Sequence, residues 1–282
     1  MKIGLVLAGG MAKGALQFGA LKALNEFVPL EKIKYISCAS VGVLNGYAFA
    51  TDNLSGGEQI WKNVCAEKEK IIISQMLKSE KLQQYILDLY ACKNTPQSTF
   101  YCSLLNYSKR SMVYKDLSLV EKEKIRAYLK ASVAMPVYNR AVQIDSAAYF
   151  DGAMIDNIPV YPLLKHDLDY IICIYFDDTC YKFESTEVDN KIIKVTFPCK
   201  NALRQSLVFK KDDIEEMLAQ GYEVAKKIFS NVFAQGNENL EYIYSVIKEA
   251  NKQSKGNMRI TGDVLVTNLN KITQKLTDKK VL

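Results

Sequence analysis

The 282-residue chain has one histidine, one tryptophan, six prolines and no long apolar run. Each scarcity excludes something. With His166 as the lone imidazole, a Ser-His-Asp triad has a single candidate. The longest uninterrupted apolar stretch, Tyr170 to Phe176, is far shorter than the roughly 18 residues of a membrane-spanning helix. Met1 and Lys2 lead straight into Ile3 to Ala8 and then glycines, without the apolar core and cleavage site of a secretory signal, so the expected location is the cytoplasm. The seven cysteines (38, 65, 92, 102, 173, 180 and 199) are odd in number and form no Cys-x-x-Cys pair. Reduced thiols are expected, with no zinc or other metal site. There is no internal repeat, low-complexity tract or Pro-rich linker.

The composition is 49% hydrophobic and 24% charged, enough apolar material for a substantial core, which excludes a largely disordered chain. Length and patterning suggest one large domain or one domain with an appendage. A net charge of +6 is too mild for a nucleic-acid partner unless it clusters. It does cluster. Residues 61–130 hold 13 Lys or Arg against 7 Asp or Glu, an excess equal to the whole net charge. Lys78, Lys81, Lys109, Arg110 and Lys115 lie there beside Tyr85, Tyr90, Tyr101, Tyr107 and Tyr114. That mixture suits a basic, aromatic rim facing anionic lipid surfaces, against the plain reading of solvated faces with buried tyrosines.

Ile3 to Ala8 reads as a buried strand ended by Gly9 and Gly10. Phe18, Leu21, Leu24 and Val28 recur at helical spacing until Pro29. Lys34 to Ala39 is a second strand and Ser40 to Ala50 a second helix, so the opening is a parallel sheet with right-handed crossovers. Thr99 to Asn106 and Ser111 to Tyr114 pair around a polar turn, and Leu119 to Lys130 is helical. Ala141 to Phe150, Tyr170 to Phe176 and Ile192 to Phe197 are further strands. From Asp212 the pattern is helical, first with Ile214, Met217, Leu218, Tyr222 and Ala225, then with Leu240, Ile243, Tyr244 and Ile247. Leu265, Leu269, Ile272 and Leu276 suggest a final helix.

Three motifs carry chemistry. The loop Gly9-Gly10-Met11-Ala12-Lys13-Gly14 joins the first strand to its helix, where glycines let the backbone aim N–H groups at an anion. A Walker loop would need Ser or Thr after Gly-Lys, and the Rossmann Gly-x-Gly-x-x-Gly spacing is absent. A tight turn without a ligand is the plain alternative. Cys38-Ala39-Ser40-Val41-Gly42 ends the second strand, and a serine on such a sharp strand-to-helix turn has its hydroxyl lifted clear of the sheet edge. A helix N-cap serine would look the same. Asp151-Gly152-Ala153 follows the strand Ala141 to Phe150, whose carboxyl end is expected to project into the same crevice as other parallel strand ends. A turn aspartate is its plain reading. Taken together, the three supply a nucleophile, a base and oxyanion donors. His166 precedes the strand Tyr170 to Phe176, is expected at the opposite edge on the surface, and leaves a two-residue Ser40-Asp151 arrangement.

Gly4 through Ala15, the Ser40 elbow, Ala131-Ser132-Val133-Ala134-Met135-Pro136, Asp151-Gly152-Ala153 and Asn157-Ile158-Pro159 resemble, in order and spacing, the motifs of the patatin-like phospholipase family. The resemblance implies an α/β fold, a three-layer α/β/α arrangement with a mainly parallel central sheet. Residues 1–230 would form the catalytic domain and residues 231–282 a helical C-terminal extension packed on it. It also implies a serine acyl hydrolase of the phospholipase A or lysophospholipase type, working through an acyl-enzyme without metal or cofactor, on a lipid or ester substrate; peripheral contact with membranes is expected from the basic, aromatic stretch instead. Carried over by position, Ser40 is the nucleophile and Asp151 the base, with Gly152 and Ala153 completing the proton-acceptor motif. The oxyanion donors are the N–H groups of Gly9, Gly10 and Met11, with Lys13 as the loop's basic residue. Cys38, Ala39, Val41 and Gly42 form the elbow. Two positions depart from the family pattern. Met11 replaces the third consecutive glycine, tolerable only if φ stays negative, and Cys38 replaces the first elbow glycine. These departures motivate the alternative, a catalytically silent relative that binds lipid.

Overall fold

The computed structural model describes residues 1–65, 70–91, 94–136, 138–176, 180–197, 206–253, 256 and 258–259. In chain order the strands are β1 Ile3–Leu7, β2 Ile33–Cys38, β3 Lys70–Ile72, β4 Thr99–Asn106, β5 Ser111–Asp116, β6 Val142–Ile144, β7 Ala147–Asp151, β8 Tyr170–Tyr175, β9 Lys182–Phe183, β10 Ile192–Thr196, β11 Val208–Lys210 and β12 Met258–Arg259. The helices are α1 Gly14–Phe27, α2 Val41–Ala50, α3 Leu54–Asn63, α4 Ile73–Met76, α5 Glu80–Tyr90, α6 Lys122–Ala131, α7 Thr186–Asp189, α8 Lys211–Val232 and α9 Leu240–Gln253.

Every residue of β1 is buried, as its continuous apolar run requires of a strand covered on both faces. It lies between β2 and β8, parallel to both, while β10 runs parallel to β8 and β4 parallel to β2. The strand order is β10-β8-β1-β2-β4-β7-β6, with β5 also on β4. Ile3, Leu5 and Leu7 face the larger core with α1, α2 and α8, while Val6 and Ala8 face a second core with Ile158, Leu163 and Leu168. The fold is the expected three-layer arrangement around a mainly parallel sheet. Its second helical layer is thin, a 3-10 helix at Tyr161–Lys165 and the single turn of α7.

α8 lies against α1 at backbone distance. A Cβ on Gly221 would stand 1.9 Å from the Leu16 carbonyl oxygen, and one on Gly19 would stand 2.1 Å from that of Leu218. α9 lies along the edge strand β10, where Lys194 Nζ donates to Asn251 Oδ1 at 2.8 Å. Among the described residues, no helix is long and apolar enough to cross a membrane.

The expected single strand from Ala141 to Phe150 is instead the hairpin β6–β7, paired antiparallel with Ile144 opposite Ala147. The reason is local: Asp145 takes φ 52, a left-handed conformation that a short polar side chain tolerates at a turn. Helices α3 and α5 were not anticipated from the sequence, although each carries a cap. The Asn53 side chain accepts from Gly56 N–H, and the Ser79 hydroxyl accepts from Leu82 N–H. The expected helix at Leu265 to Leu276 lies outside the described residues, as do Cys92 and Cys199.

Candidate active site

Ser40 occupies the turn between β2 and α2 with φ 54 and ψ −132, a conformation costing about 1–3 kcal/mol that the surroundings must hold in place. The Ala39 N–H donates to the Leu7 carbonyl at 3.0 Å, pinning the elbow to the end of β1. Gly42 passes so close to β1 that a Cβ there would lie 2.6 Å from the same oxygen. Cys38 has no left-handed φ, and its sulfur packs where a Cβ on Gly46 would come within 2.6 Å. The departure at Cys38 therefore adds no backbone strain, which falls on Ser40. Burial pushes the Cys38 thiol well above its ordinary value, so it is an inert packing group.

Asp151 reaches Ser40 by a route the sequence did not reveal. β5 occupies one edge of β4 along residues 101–106, so β2, against residues 99–102, and β7, against residues 104–106, share the other edge end to end. β2 runs up and stops at Cys38 opposite Cys102, while β7 runs down and stops at Asp151 opposite Leu104. The two strand tips face each other across two residues of β4, about 7 Å. Asp151 thus enters the crevice from an antiparallel strand, which corrects the expectation of another parallel strand end.

Asp151 is 2% exposed and Ser40 8%. The carboxylate accepts the Ala153 N–H at 2.9 Å and lies near the Ser40 hydroxyl, which favours its charged form. Burial nonetheless raises its pKa to about 7, the nearby Ser40 hydroxyl and the Ala153 N–H opposing the rise. Its backbone N–H donates to Ala134 O at 2.9 Å, so the 131–136 segment holds Asp151 from behind. Gly152 is there because a Cβ would lie 2.5 Å from the Ser103 carbonyl carbon.

The glycine loop departs from expectation at two positions. The Gly9 N–H donates to the Asn157 carbonyl at 3.2 Å, and Asn157 Nδ2 donates to Gly9 O at 3.1 Å. Gly9 is therefore clamped rather than available as a donor. The N–H groups of Gly10 and Met11 have no acceptor among the described residues. Met11 has φ 53, against the requirement that its φ be negative. The family's glycine at that place has a direct rationale in this geometry, and the methionine carries about 1–2 kcal/mol of strain. Lys13 is buried, its ammonium 5.3 Å from the centre of the Phe176 ring, with no ion pair among the described residues.

An apolar cavity of about 80 Å³ opens beside Ser40, lined by Met11, Leu44, Trp61, Met76, Leu82 and Phe209, among others. Its polar groups are already satisfied. Trp61 Nε1 donates to Asn45 Oδ1 at 2.9 Å, and Asn45 Nδ2 donates to Gly14 O at 2.9 Å and Gln17 Oε1 at 3.0 Å. Sequence reasoning missed this cavity because α3, α4, α5 and β11, which build it, carry no motif. Asn157 was visible only as part of a motif, without its role as the Gly9 clamp.

His166 is removed from the site. It is half-buried rather than on the surface, its ring stacked on Tyr35 at 3.8 Å with Nε2 2.9 Å from the Tyr101 hydroxyl. Burial lowers its pKa. The basic, aromatic stretch does not form one rim. Tyr114 bonds Asp156, Tyr85 bonds Asn63 O and Lys115 lies over the Tyr128 ring, whereas Tyr107, Lys109 and Arg110 are exposed at the β4–β5 turn.

The sequence profile of the patatin-like phospholipases matches residues 5–164, more than half of the chain. The chain belongs to the patatin-like phospholipase family. Lipid acyl hydrolysis is the activity that membership in the patatin-like family implies. Among solved structures, VipD from Legionella pneumophila is similar at 12% identity, with 82% of this chain and 67% of that one covered and a TM-score of 0.46. The type III effector protein ExoU is similar at 14% identity, with 98% of this chain and 64% of that one covered and a TM-score of 0.42. The chain spans about two thirds of the length of each. No curated protein matches it significantly.

Proposed function

We propose that this chain hydrolyses lipid acyl esters by covalent catalysis, with Ser40 as nucleophile and Asp151 as its base. The observation that carries the reading is a serine on a strained backbone turn beside a buried carboxylate, at the mouth of an apolar cavity. Asp151, ionised, takes the Ser40 proton as Oγ attacks the ester carbonyl. The oxyanion that forms is met by the N–H groups of Gly10 and Met11, with the Lys13 ammonium adding positive potential nearby. Asp151 then returns the proton to the departing alcohol, leaving an acyl-Ser40 ester that water hydrolyses by the same steps in reverse. A base with a pKa of about 7 is poised for both directions.

The apolar lining suits the acyl side of a phospholipid or lysophospholipid ester; at about 80 Å³ the cavity takes only the part next to the carbonyl, with the rest of the lipid left outside. The exposed Tyr107, Lys109 and Arg110 at the β4–β5 turn are proposed as a peripheral contact with anionic membranes on the cytoplasmic side. Residues 1–230 are proposed as the catalytic unit. The helical extension 231–282 is proposed to pack on it, as the Tyr244 hydroxyl donating to Asp169 O at 2.5 Å supports for α9.

Fluorophosphonate labelling of wild type and Ser40→Ala, with the adduct located by mass spectrometry, tests the dyad. An adduct on Ser40, absent from the variant, is the expected result. A folded wild type that takes no label would favour the silent lipid-binding reading, for which the strained Met11 in the oxyanion loop is the motivating observation.

A further inference from the structure

Five residues after Asp151, the chain buries a second carboxylate that the proposed mechanism does not use. Asp156 Oδ1 pairs with Arg259 Nη2 at 3.0 Å, the two side chains 6% and 10% exposed. Its other oxygen, Oδ2, accepts from the Tyr114 hydroxyl at 2.7 Å. Both oxygens are thus satisfied, and Arg259 is the cation paired with a charge that could not otherwise stay buried. Arg259 belongs to β12, which runs parallel to β9 with Arg259 opposite Phe183. The Glu184 N–H donates to Arg259 O at 3.0 Å, and the Tyr181 ring sits 5.5 Å from the guanidinium carbon. The guanidinium is therefore held from behind and aimed at Asp156.

Asp156 lies in the segment that links the two halves of the site. On one side, its N–H donates to Gly152 O at 3.0 Å, closing the turn that follows Asp151. On the other, Asn157 makes both hydrogen bonds that clamp Gly9 at the head of the glycine loop. Fixing the Asp156 side chain fixes the spacing between base and oxyanion loop. The family profile ends at residue 164, so the residue doing this comes from well outside the matched stretch.

Resting on the Ser40-Asp151 reading, we propose that Arg259 is a positioning residue for catalysis, acting through Asp156 to hold the 151–157 turn and its Asn157 clamp in register with the glycine loop. Since displacement of a reacting group by an ångström can cost about a hundredfold, Arg259→Ala should slow fluorophosphonate labelling of Ser40 by about tenfold to a hundredfold. The loss should fall on the inactivation step rather than on probe affinity, because the acyl cavity is not touched. The diagnostic comparison is the Asp156→Asn background, where no buried charge needs a cation. There, adding Arg259→Ala should change the rate by less than about threefold. If Arg259→Ala gives no cooperative melt, Arg259→Gln takes its place in both backgrounds. A labelling rate within about twofold of wild type, or an equal loss in the Asp156→Asn background, overturns the proposal. Failure of wild type to label at Ser40 overturns the dyad reading, and this inference with it.

Discussion

Replacing Asp151 with asparagine should stabilise the folded chain while abolishing hydrolysis, and the gain should grow with pH. Asp151 is buried, and burial lifts its carboxyl from 3.8 to about 7. In the unfolded chain it returns to about 3.9. Between these values the folded state holds a proton that the unfolded state has released. Stability therefore falls as pH rises through that window, the loss being complete above the folded value. A displacement of about three units corresponds to about 4 kcal/mol at pH 8 and less than about 1 kcal/mol at pH 4. Asparagine keeps the shape and an acceptor for the Ala153 N–H without the charge. Urea unfolding of wild type and Asp151→Asn at pH 4, 6 and 8 measures the effect, and subtracting the two curves cancels every other titrating group. The difference should rise from near zero to several kcal/mol. A difference that does not change with pH would refute the burial argument for this carboxylate.

Two other expectations follow from the loop and the hairpin. Met11→Gly removes a left-handed side chain at the expense of a more flexible unfolded chain, so it should stabilise by up to about 1 kcal/mol and leave Ser40 labelling intact or faster. A lowered melting temperature together with slower labelling would contradict the strain assigned to Met11. Tyr107→Ala with Lys109→Glu and Arg110→Glu should reduce flotation with anionic vesicles while labelling by a soluble fluorophosphonate stays unchanged. Undiminished flotation would remove the β4–β5 turn as the membrane contact.

The parallel half of the sheet was legible because β1, β2 and β8 are short apolar runs bounded by turns, the pattern a doubly covered strand imposes. Ser40, Asp151 and the glycine loop stood out because each breaks that pattern with small residues at a strand end. The head-to-head meeting of β2 and β7 was not legible, since it depends on β4 running past the end of β2 while β5 fills its far edge. No local signal marks that register. Hydrogen bonding likewise separates the loop glycines: Gly9 looks no different from Gly10 in sequence, yet one N–H is taken by Asn157 and the other has no acceptor among the described residues. Arg259 is an ordinary basic residue until the fold carries it to Asp156.

The head-to-head strands also bear on the order in which the chain matures. Ser40 is placed by β1, β2 and α2, all within the first fifty residues, and contacts so close in sequence form early. Its partner arrives only after β4 has extended and the β6–β7 hairpin has docked beyond the end of β2, a closure over a hundred residues of chain. Until that docking, the serine faces a gap where the carboxylate will sit. On the proposed dyad, a half-made or partly unfolded chain would hold Ser40 without Asp151, so hydrolysis would wait on completion of the fold.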